Sequence, residues 1–253
     1  HADFTVAGCA LELRINGLVL LDEQAQQYTN YAPPLNLYLV GSGNTIVAHL
    51  EPLDDNPKHL RDVVLDGSVR VYEFGDFAGC GQGGTVVTTL TFPDAMREAA
   101  ERDELDLPIT LTATFDNDGP AFVERFVGAE PFDDEDALRD YAIALRDMFA
   151  AQDIDALVAE NAPKALDHAA AYYHPVPQEA ALRAHLQNDI FAGKPALDFE
   201  RQDVRLVPHC GGRIWELQRD GGPELIETTP DADGAFAIDI YVAPVDGALK
   251  IVR

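Results

Sequence analysis

The residues best suited to acid–base chemistry lie close together in the segment HAAAYYH, at positions 168–174. His168 and His174 can gain or lose a proton near neutral pH, and Tyr172 carries a hydroxyl that donates or accepts a hydrogen bond. A carboxylate that orients an imidazole makes it a better general base, and Asp239 is the residue expected in that role. The catalytic candidates are therefore His168, Tyr172, His174 and Asp239.

Two aromatic residues near the end of the chain are candidates for ligand binding. Trp215 and Tyr241 combine a large apolar surface with a polar tip, which suits the wall of a binding cavity. On an ideal helix, His168 and Tyr172 share one side whereas His174 points elsewhere, so spacing alone does not place the candidates on one face. Packing and hydrogen bonding in a core are the alternative role for these residues.

The histidines and cysteines do not predict a metal site. The helical spacing of four residues between two histidines, which is common in zinc sites, is absent. A site formed by His168, His174, His185 and Cys210 would require distant segments to converge. We therefore expect no bound metal ion.

Three loops resemble cofactor or ion sites but lack part of each pattern. Segments 116–119 and 231–234 open like calcium-binding loops, yet they lack the third ligand and the closing Glu, and Asp-Gly hairpin turns explain both. Segment 79–84 (GCGQGG) lacks the Lys and Ser/Thr of a phosphate-binding loop. No Gly-x-Ser-x-Gly elbow of a serine hydrolase is present. The sequence therefore predicts no cofactor.

The chain is strongly acidic, with 44 Asp and Glu against 18 Lys and Arg and a formal net charge of -26. This charge repels phosphate backbones and anionic lipids, so we expect no nucleic-acid partner. The longest apolar runs fall short of the ~20 residues of a membrane span. The same charge favours encounter with a basic protein or a cationic ligand, and a solubility or salt adaptation is the alternative explanation.

The three cysteines, Cys9, Cys80 and Cys210, are too few for a disulfide scaffold. A single bridge between Cys9 and Cys80 and free buried thiols are the two alternatives. The chain begins at His1 rather than Met, which indicates a missing upstream segment, either a removed signal peptide or part of a cloned fragment, and the sequence does not separate the two. A periplasmic or secreted location is therefore preferred to a cytoplasmic one.

The first half of the chain has the short alternating runs of a β structure. Leu11, Leu13 and Ile15 alternate with polar residues and precede Asn16-Gly17, a strong signal for a hairpin turn. One helix, residues 94–102, interrupts the strands. Further strands are expected at 35–40, 45–50, 68–74, 85–92, 109–115 and 121–127.

The hydrophobic period changes after Pro131. Residues 132–152 have apolar positions three and four apart, and acidic residues crowd the first turn, where the helix dipole favours negative charge. Further helices are expected at 154–161, 163–173 and 178–191. Strands then return at 197–207, 213–219, 224–228, 236–242 and 249–252, with turns at Gly211-Gly212 and Asp233-Gly234. The chain is thus expected to be an α+β protein of two domains, 1–130 and 131–253.

Residues 131–253 resemble the NTF2-like superfamily, in which helices pack on a curved antiparallel sheet to form a cone. The segments that carry the resemblance are LRDYAIALRDMFAAQDIDALVAENAP and the ending IDIYVAPVDGALKIVR. Residues 1–130, through RINGLVLL and PLNLYLVGSGNTIVAHLEP, resemble jelly-roll or galactose-binding-like β-sandwiches. The NTF2-like resemblance implies isomerases, dehydratases, ligand carriers or association domains, and pairing of two copies through their sheets.

Two functions follow as expectations from charge and resemblance. The first is a non-catalytic, acidic interaction protein of bacterial type, such as an inhibitor or immunity-like partner of a basic protein. The second is a small-molecule enzyme or ligand carrier that uses a cavity in the cone. A deep pocket lined by His and Asp or Glu would favour the second, whereas a cavity filled by apolar side chains would exclude it. From the sequence we expect the binding protein rather than the enzyme, with a homodimer as a further prediction.

Overall fold

A computed structural model describes residues 1–25, 27–53, 59–73, 83–102, 105–119, 121–174, 176, 178–221, 224–229 and 236–253. Its contacts divide the chain into two units, His1–Glu124 and Arg125–Arg253. Both units contain helices and antiparallel sheets, so the chain is an α+β protein. No helix in these ranges is both long and apolar enough to cross a membrane.

The first unit is built from two four-stranded antiparallel sheets, with strand orders β4-β1-β6-β7 and β3-β2-β5-β8. Buried residues from both sheets form one hydrophobic cluster, to which Phe4 and Leu13 belong. Burial of this apolar surface is the main force that holds the two sheets in one unit. The strands are β1 (Ala2–Ala7), β2 (Cys9–Ile15), β3 (Leu18–Ala25), β4 (Thr29–Tyr31), β5 (Asn44–Glu51), β6 (Val64–Val71), β7 (Thr85–Thr91) and β8 (Ile109–Phe115).

The expected hairpin at Asn16-Gly17 is present between β2 and β3. Asn16 and Gly17 have φ angles of 51° and 88°. A two-residue turn with both φ angles positive matches the right-handed twist of the strands it joins. The helix α1 (Asp94–Glu101) also agrees with the sequence pattern, as do β5, β7 and β8 within a residue or two.

Two predicted strands of the first unit are wrong. Residues 35–40 contain a short 3-10 helix, Asn36–Tyr38, in which the Tyr38 N–H bonds to the Leu35 carbonyl at 2.8 Å. The Asn44 side chain accepts the Val40 N–H at 2.8 Å. Residues 121–127 end in the helix α2 (Glu124–Val127). Val123 and Phe126 are buried at a spacing of three, which places two residues on one face of a helix but on opposite faces of a strand.

The second unit begins with helices, as the sequence predicts. They are α3 (Glu135–Ala151), α4 (Ile154–Glu160), α5 (Ala162–Ala171) and α6 (Glu179–His185), and a π-helical turn, Leu186–Ile190, extends the last one. Asp134 and Asp153 start α3 and α4, because their side chains accept the N–H groups of Ala137 and Ala156 at 2.9 and 3.0 Å.

A four-stranded antiparallel sheet follows, with the order β14-β13-β10-β9. Its strands are β9 (Val204–His209), β10 (Ile214–Arg219), β13 (Tyr241–Val245) and β14 (Ala248–Ile251), and β11 (Ile226–Glu227) pairs separately with β12 (Ala237–Ile238). The strand predicted at 197–207 begins only at Val204, because the Asp203 carboxylate accepts the Glu200 N–H at 2.8 Å and forms a 3-10 turn. The strand predicted at 236–242 is divided into β12 and β13.

One face of this sheet packs against the helices. Leu138, Leu145 and Phe149 of α3 belong to the same buried cluster as Leu217 and Val242 of the sheet. These α3 residues belong to the apolar stripe that the sequence pattern predicts. The helices and the sheet therefore enclose one core, and the candidate site lies at its edge.

Candidate functional site

The second unit contains a cavity of about 470 Å³ between its helices and its later strands. A volume of this size accommodates a small organic molecule. The helices α5 and α6 supply one side, and the segment of β12 and the residues after it supply another. The lining residues are Phe149, Asn161, Lys164, Ala165, His168, Gln178, Ala181, Leu182, His185, Leu186, Ala237, Ile238, Asp239, Ile240 and Ile251.

The inner part of the cavity is apolar. Phe149, Leu186, Ile240 and Ile251 are buried members of the hydrophobic core cluster and also line the cavity. Charges close to such walls are weakly solvated, so their interactions are stronger than at an open surface. The apolar walls therefore affect the polar residues of the lining.

The surroundings of the cavity act on Lys164 of α5. Burial lowers the pKa of its ammonium group, the negative charge of Asp239 works in the opposite direction, and the positive charge of Arg253 lowers the pKa further. Arg253 is itself held by Asp167 at 3.0 Å. Lys164 keeps some accessible surface because its side chain lines the cavity.

Asp239 lies in the same cavity, and Glu224 lies next to it. Burial raises the pKa of Glu224 to about 7, and the Asp239 carboxyl adds to the rise. Two neighbouring carboxyl groups resist carrying two charges, so near pH 7 a substantial fraction of the molecules keeps the proton on Glu224. A proton donor and a proton acceptor are thus available beside Lys164.

The three candidates of the segment 168–174 come together at the end of α5. The rings of His168 and Tyr172 are 4.6 Å apart, and those of His168 and His174 are stacked at 6.0 Å. An ideal helix would direct His174 elsewhere, but the helix ends before it and Tyr173 has a φ of 58°. The His174 N–H then bonds to the Ala169 carbonyl at 2.8 Å, which brings its ring back to His168.

Of these three residues, His168 is the one among the cavity-lining residues. Burial lowers the pKa of His168, and the neighbouring His174 and Lys164 lower it further. Burial also raises the pKa of Tyr172. A neutral imidazole at this position can accept a proton from a bound molecule.

His185 lines the cavity from α6 and is the second imidazole of the lining. Its Nδ1 lies 2.7 Å from the Asp189 carboxylate, one helical turn away. This carboxylate orients the ring, which is the arrangement that the sequence analysis expected for His168 and Asp239.

The two ligand-binding candidates are outside the lining. The Trp215 indole N–H donates to the carbonyls of Phe132 and Gly212 at 2.9 and 3.1 Å. The indole thus links the segment just before α3 to the turn at Gly212. The Tyr241 ring lies 5.3 Å from the His209 ring on the sheet. Both positions are consistent with the packing role that the sequence left open.

A buried His–Glu pair lies on the same sheet. His209 Nε2 is 3.0 Å from Glu216 Oε2, and the side chains are 1% and 12% exposed. Burial tends to raise the pKa of Glu216, but hydrogen bonds from His209 and Gln218 hold it below its ordinary value. Cys210 follows in the left-handed turn with Gly211 and Gly212.

Across the described ranges, no three His, Cys, Asp or Glu side chains are arranged to hold a metal ion. In the loop 116–119, Asp116 Oδ1 accepts the Gly43 N–H at 2.8 Å, which is a structural use of this carboxylate. The loop 231–234, residues 79–82 and Cys80 lie outside the described residues. Cys9 is a free, buried thiol, and burial raises its pKa to about 11.

Sequence reasoning missed Lys164 and Glu224. Lys164 precedes His168 by four residues on a helix, so a search for polar pairs on one helical face would have found it. Glu224 carries no such signal, because its contact with Asp239 joins two positions that are far apart in the sequence.

Comparisons with protein-family models, with curated proteins and with solved structures each found no match to this chain. Its function must therefore be inferred from the geometry of the cavity.

Proposed function

We propose that the second unit is an NTF2-like cone that binds a small organic molecule in the cavity, and that the first unit is a β-sandwich. What supports the cone is the order of its elements, with helices first and an antiparallel sheet after them, and one core between the two. What supports the sandwich is the single buried cluster to which both sheets of the first unit contribute.

The observation that carries the proposed function is the composition of the cavity wall. Apolar residues form its inner part, and Lys164, His168, His185 and Asp239 face the same space. Polar and ionisable groups next to apolar walls cost folding free energy unless they are paired. Groups with shifted pKa values, as at Lys164 and His168, are common at functional sites, because a ligand or a reaction uses them.

The wall also limits the kind of ligand. About 470 Å³ accepts a molecule of one or two rings, or a short branched chain. The apolar part of the ligand would pack against Phe149 and Ile251, and its polar group would face Lys164 and Asp239.

A pair of neighbouring substitutions on α5 tests this function. Ala165 lines the cavity, whereas Leu166 is 58% exposed. Ala165→Trp should fill the cavity, and Leu166→Trp should add the same side chain outside it. Fragments found by ligand-observed NMR with the natural protein should stop binding to the Ala165 variant and still bind to the Leu166 variant. Equal binding to both variants would exclude the cavity as the site.

The acidic charge supports a second candidate function, an interaction protein for a basic partner. The net charge of -26 produces a field that attracts cations. Binding driven by this charge should weaken steeply as the salt concentration rises, since salt screens exposed charges. A search for partners at low and high salt tests this candidate, and sedimentation of the free protein tests the homodimer.

A further inference from the structure

Lys164 occupies an unusual chemical position. It lines a cavity whose inner wall is apolar, and it makes no hydrogen bond or salt bridge with any residue that the structure describes. Burial and the charge of Arg253 disfavour the ammonium form of Lys164 and the charge of Asp239 favours it, so the neutral amine is easier to form here than at an exposed lysine. A neutral lysine side chain carries a free electron pair and is a nucleophile.

We propose that Lys164 forms a reversible imine with the carbonyl group of a small aldehyde or ketone bound in the cavity. This inference rests on the proposed function, because the carbonyl compound must first occupy the same cavity. It adds a covalent step and a chemical class of ligand.

The neighbouring carboxyl groups provide the proton transfers that imine formation requires. Asp239 faces the cavity and acts electrostatically on Lys164, and Glu224 lies against Asp239. Attack by the amine creates negative charge on the carbonyl oxygen and positive charge on the nitrogen. One carboxylic acid and one carboxylate can neutralise both.

The step balances with the groups present. The Lys164 nitrogen forms a bond to the carbonyl carbon while the C–O π bond breaks, and the oxygen takes the proton of Glu224. The nitrogen gives one proton to Asp239, which leaves a carbinolamine. Asp239 then returns this proton to the hydroxyl, the C–O bond breaks, and water leaves. The products are a protonated imine, one water molecule and two carboxylates beside the new positive charge.

The same carboxyl groups argue against an anionic ligand. A carboxylate bound to Lys164 would lie close to Asp239, and like charges in an apolar cavity repel strongly. A carbonyl compound is uncharged when it enters, and the imine that it forms is cationic. The pair of carboxyl groups therefore stabilises the product of the proposed reaction.

Benzaldehyde is a suitable probe, because it is apolar, carries one carbonyl group and is small enough for the cavity. The full chain is incubated with benzaldehyde and sodium cyanoborohydride, which reduces an imine to a stable benzyl amine. Mass spectrometry of the intact protein and of its peptides then locates the benzyl group. We expect labelling at Lys164 to be at least about tenfold faster than at Lys194 or Lys250, because Lys164 lines the cavity that holds the aldehyde next to its amine and the other two do not.

Matched variants separate the reaction from surface chemistry. Lys164→Arg should lose the fast labelling, because a guanidinium is protonated and does not form the imine. Lys194→Arg, at an exposed position, should keep it. Asp239→Asn should slow labelling of Lys164 while the rates at other lysines stay unchanged. Thermal unfolding verifies that each variant is folded.

A binding measurement without the reductant tests the cavity as a ligand site separately from imine formation at Lys164. Ligand-observed NMR measures whether benzaldehyde and benzyl alcohol bind to the natural protein. The same measurement on the Ala165→Trp variant shows whether that binding requires the cavity. If both bind in the cavity and Lys164 is labelled no faster than Lys194, the imine proposal is wrong and the proposed function stands. If neither binds and no labelling at Lys164 occurs, both are wrong. Tighter binding of benzoate than of benzaldehyde would overturn the imine proposal in favour of an anion site.

Discussion

Glu224 and Asp239 place two carboxyl groups side by side in the second unit, and one consequence is a pKa for Glu224 of about 7. Burial is the larger cause, and the charge and hydrogen bonding of Asp239 add to it. The protein therefore carries a carboxylic acid that changes its protonation state near neutral pH, next to the cavity that contains Lys164.

Glu224→Gln should change how stability depends on pH. The pKa of Glu224 rises on folding from 4.5 to about 7, so the folded state binds the proton more tightly than the unfolded state. The resulting stabilisation is present below pH 4.5 and is lost as the pH rises to 7. Because the side chain is partly accessible, we expect a loss of about 1 to 2 kcal/mol. Gln cannot ionise, so the variant should lack this loss.

Urea unfolding at several pH values between 4.5 and 8 measures the effect as a difference between the variant and the natural protein. Glu130→Gln, at an exposed position of the same unit, corrects for the removal of one negative charge. If the two variants show the same pH dependence, Glu224 does not have the raised pKa.

His209→Ala should destabilise the protein strongly, since it leaves the Glu216 carboxylate buried without its imidazole partner. Loss of one member of a buried pair costs about 3 kcal/mol or more. His209→Gln retains a donor and should cost less. A second His–Glu pair, His49 and Glu51, has nearly the same separation, 3.1 Å, but is exposed.

The exposed pair supplies the control for this comparison. His49→Ala should cost less than about 1 kcal/mol, because exposed ion pairs contribute little. Unfolding by urea gives both values. A small effect of His209→Ala, similar to that of His49→Ala, would show that Glu216 is solvated after the substitution.

Much of the fold is predictable because local chemistry and packing agree in it. Asn16-Gly17 has the residues that its turn requires, and the apolar stripe of α3 has the period of a helix. β1 was not predicted, although Ala2, Phe4 and Val6 alternate with Asp3 and Thr5 as in a strand; its burial on both faces, with the pattern BBBiBB, depends on the tertiary fold. Segment 35–40 was misread because its apolar run fits a strand, whereas the Tyr38 N–H bonds to the Leu35 carbonyl inside the segment and the Asn44 side chain accepts the Val40 N–H.

The site was less predictable than the fold. His168 and Asp239 could be selected by residue type, and both line the cavity. Trp215 could be selected in the same way, yet its indole N–H serves two backbone carbonyls. Residue type indicates what a side chain can do, but the distance between segments that are far apart in sequence depends on the tertiary fold. Lys164 and Glu224 acquire their properties from burial and from neighbours, which a linear pattern does not contain.

Asp134→Ala should weaken the start of α3 and lower stability by about 1 kcal/mol, because the N–H of Ala137 loses its side-chain acceptor. The preceding residue is a natural control. Asp133 is also acidic and exposed, but the capping bond comes from Asp134. Asp133→Ala should therefore have a smaller effect. Circular dichroism during thermal unfolding compares the two variants, and equal effects would indicate that charge near the helix dipole, not the cap, is responsible.

Gly67→Ala should be among the most destabilising small substitutions in the first unit. Gly67 pairs with Phe4 across β6 and β1, and the Phe4 ring covers the glycine so closely that an added Cβ would overlap the ring. Phe4 has no exposed surface, so its ring cannot move into solvent without loss of core packing. Overlap of this kind costs about 1 to 3 kcal/mol.

A double-mutant cycle assigns this cost to the contact itself. Phe4→Leu shortens the side chain and should cost about 1 kcal/mol on its own, as a hydrophobic exchange in a core. In that background, Gly67→Ala should cost much less than in the natural protein, because the smaller side chain leaves room for the methyl group. Urea unfolding of the four proteins gives the coupling energy. Additive effects would mean that Gly67 is required for its backbone and not for the space that Phe4 occupies.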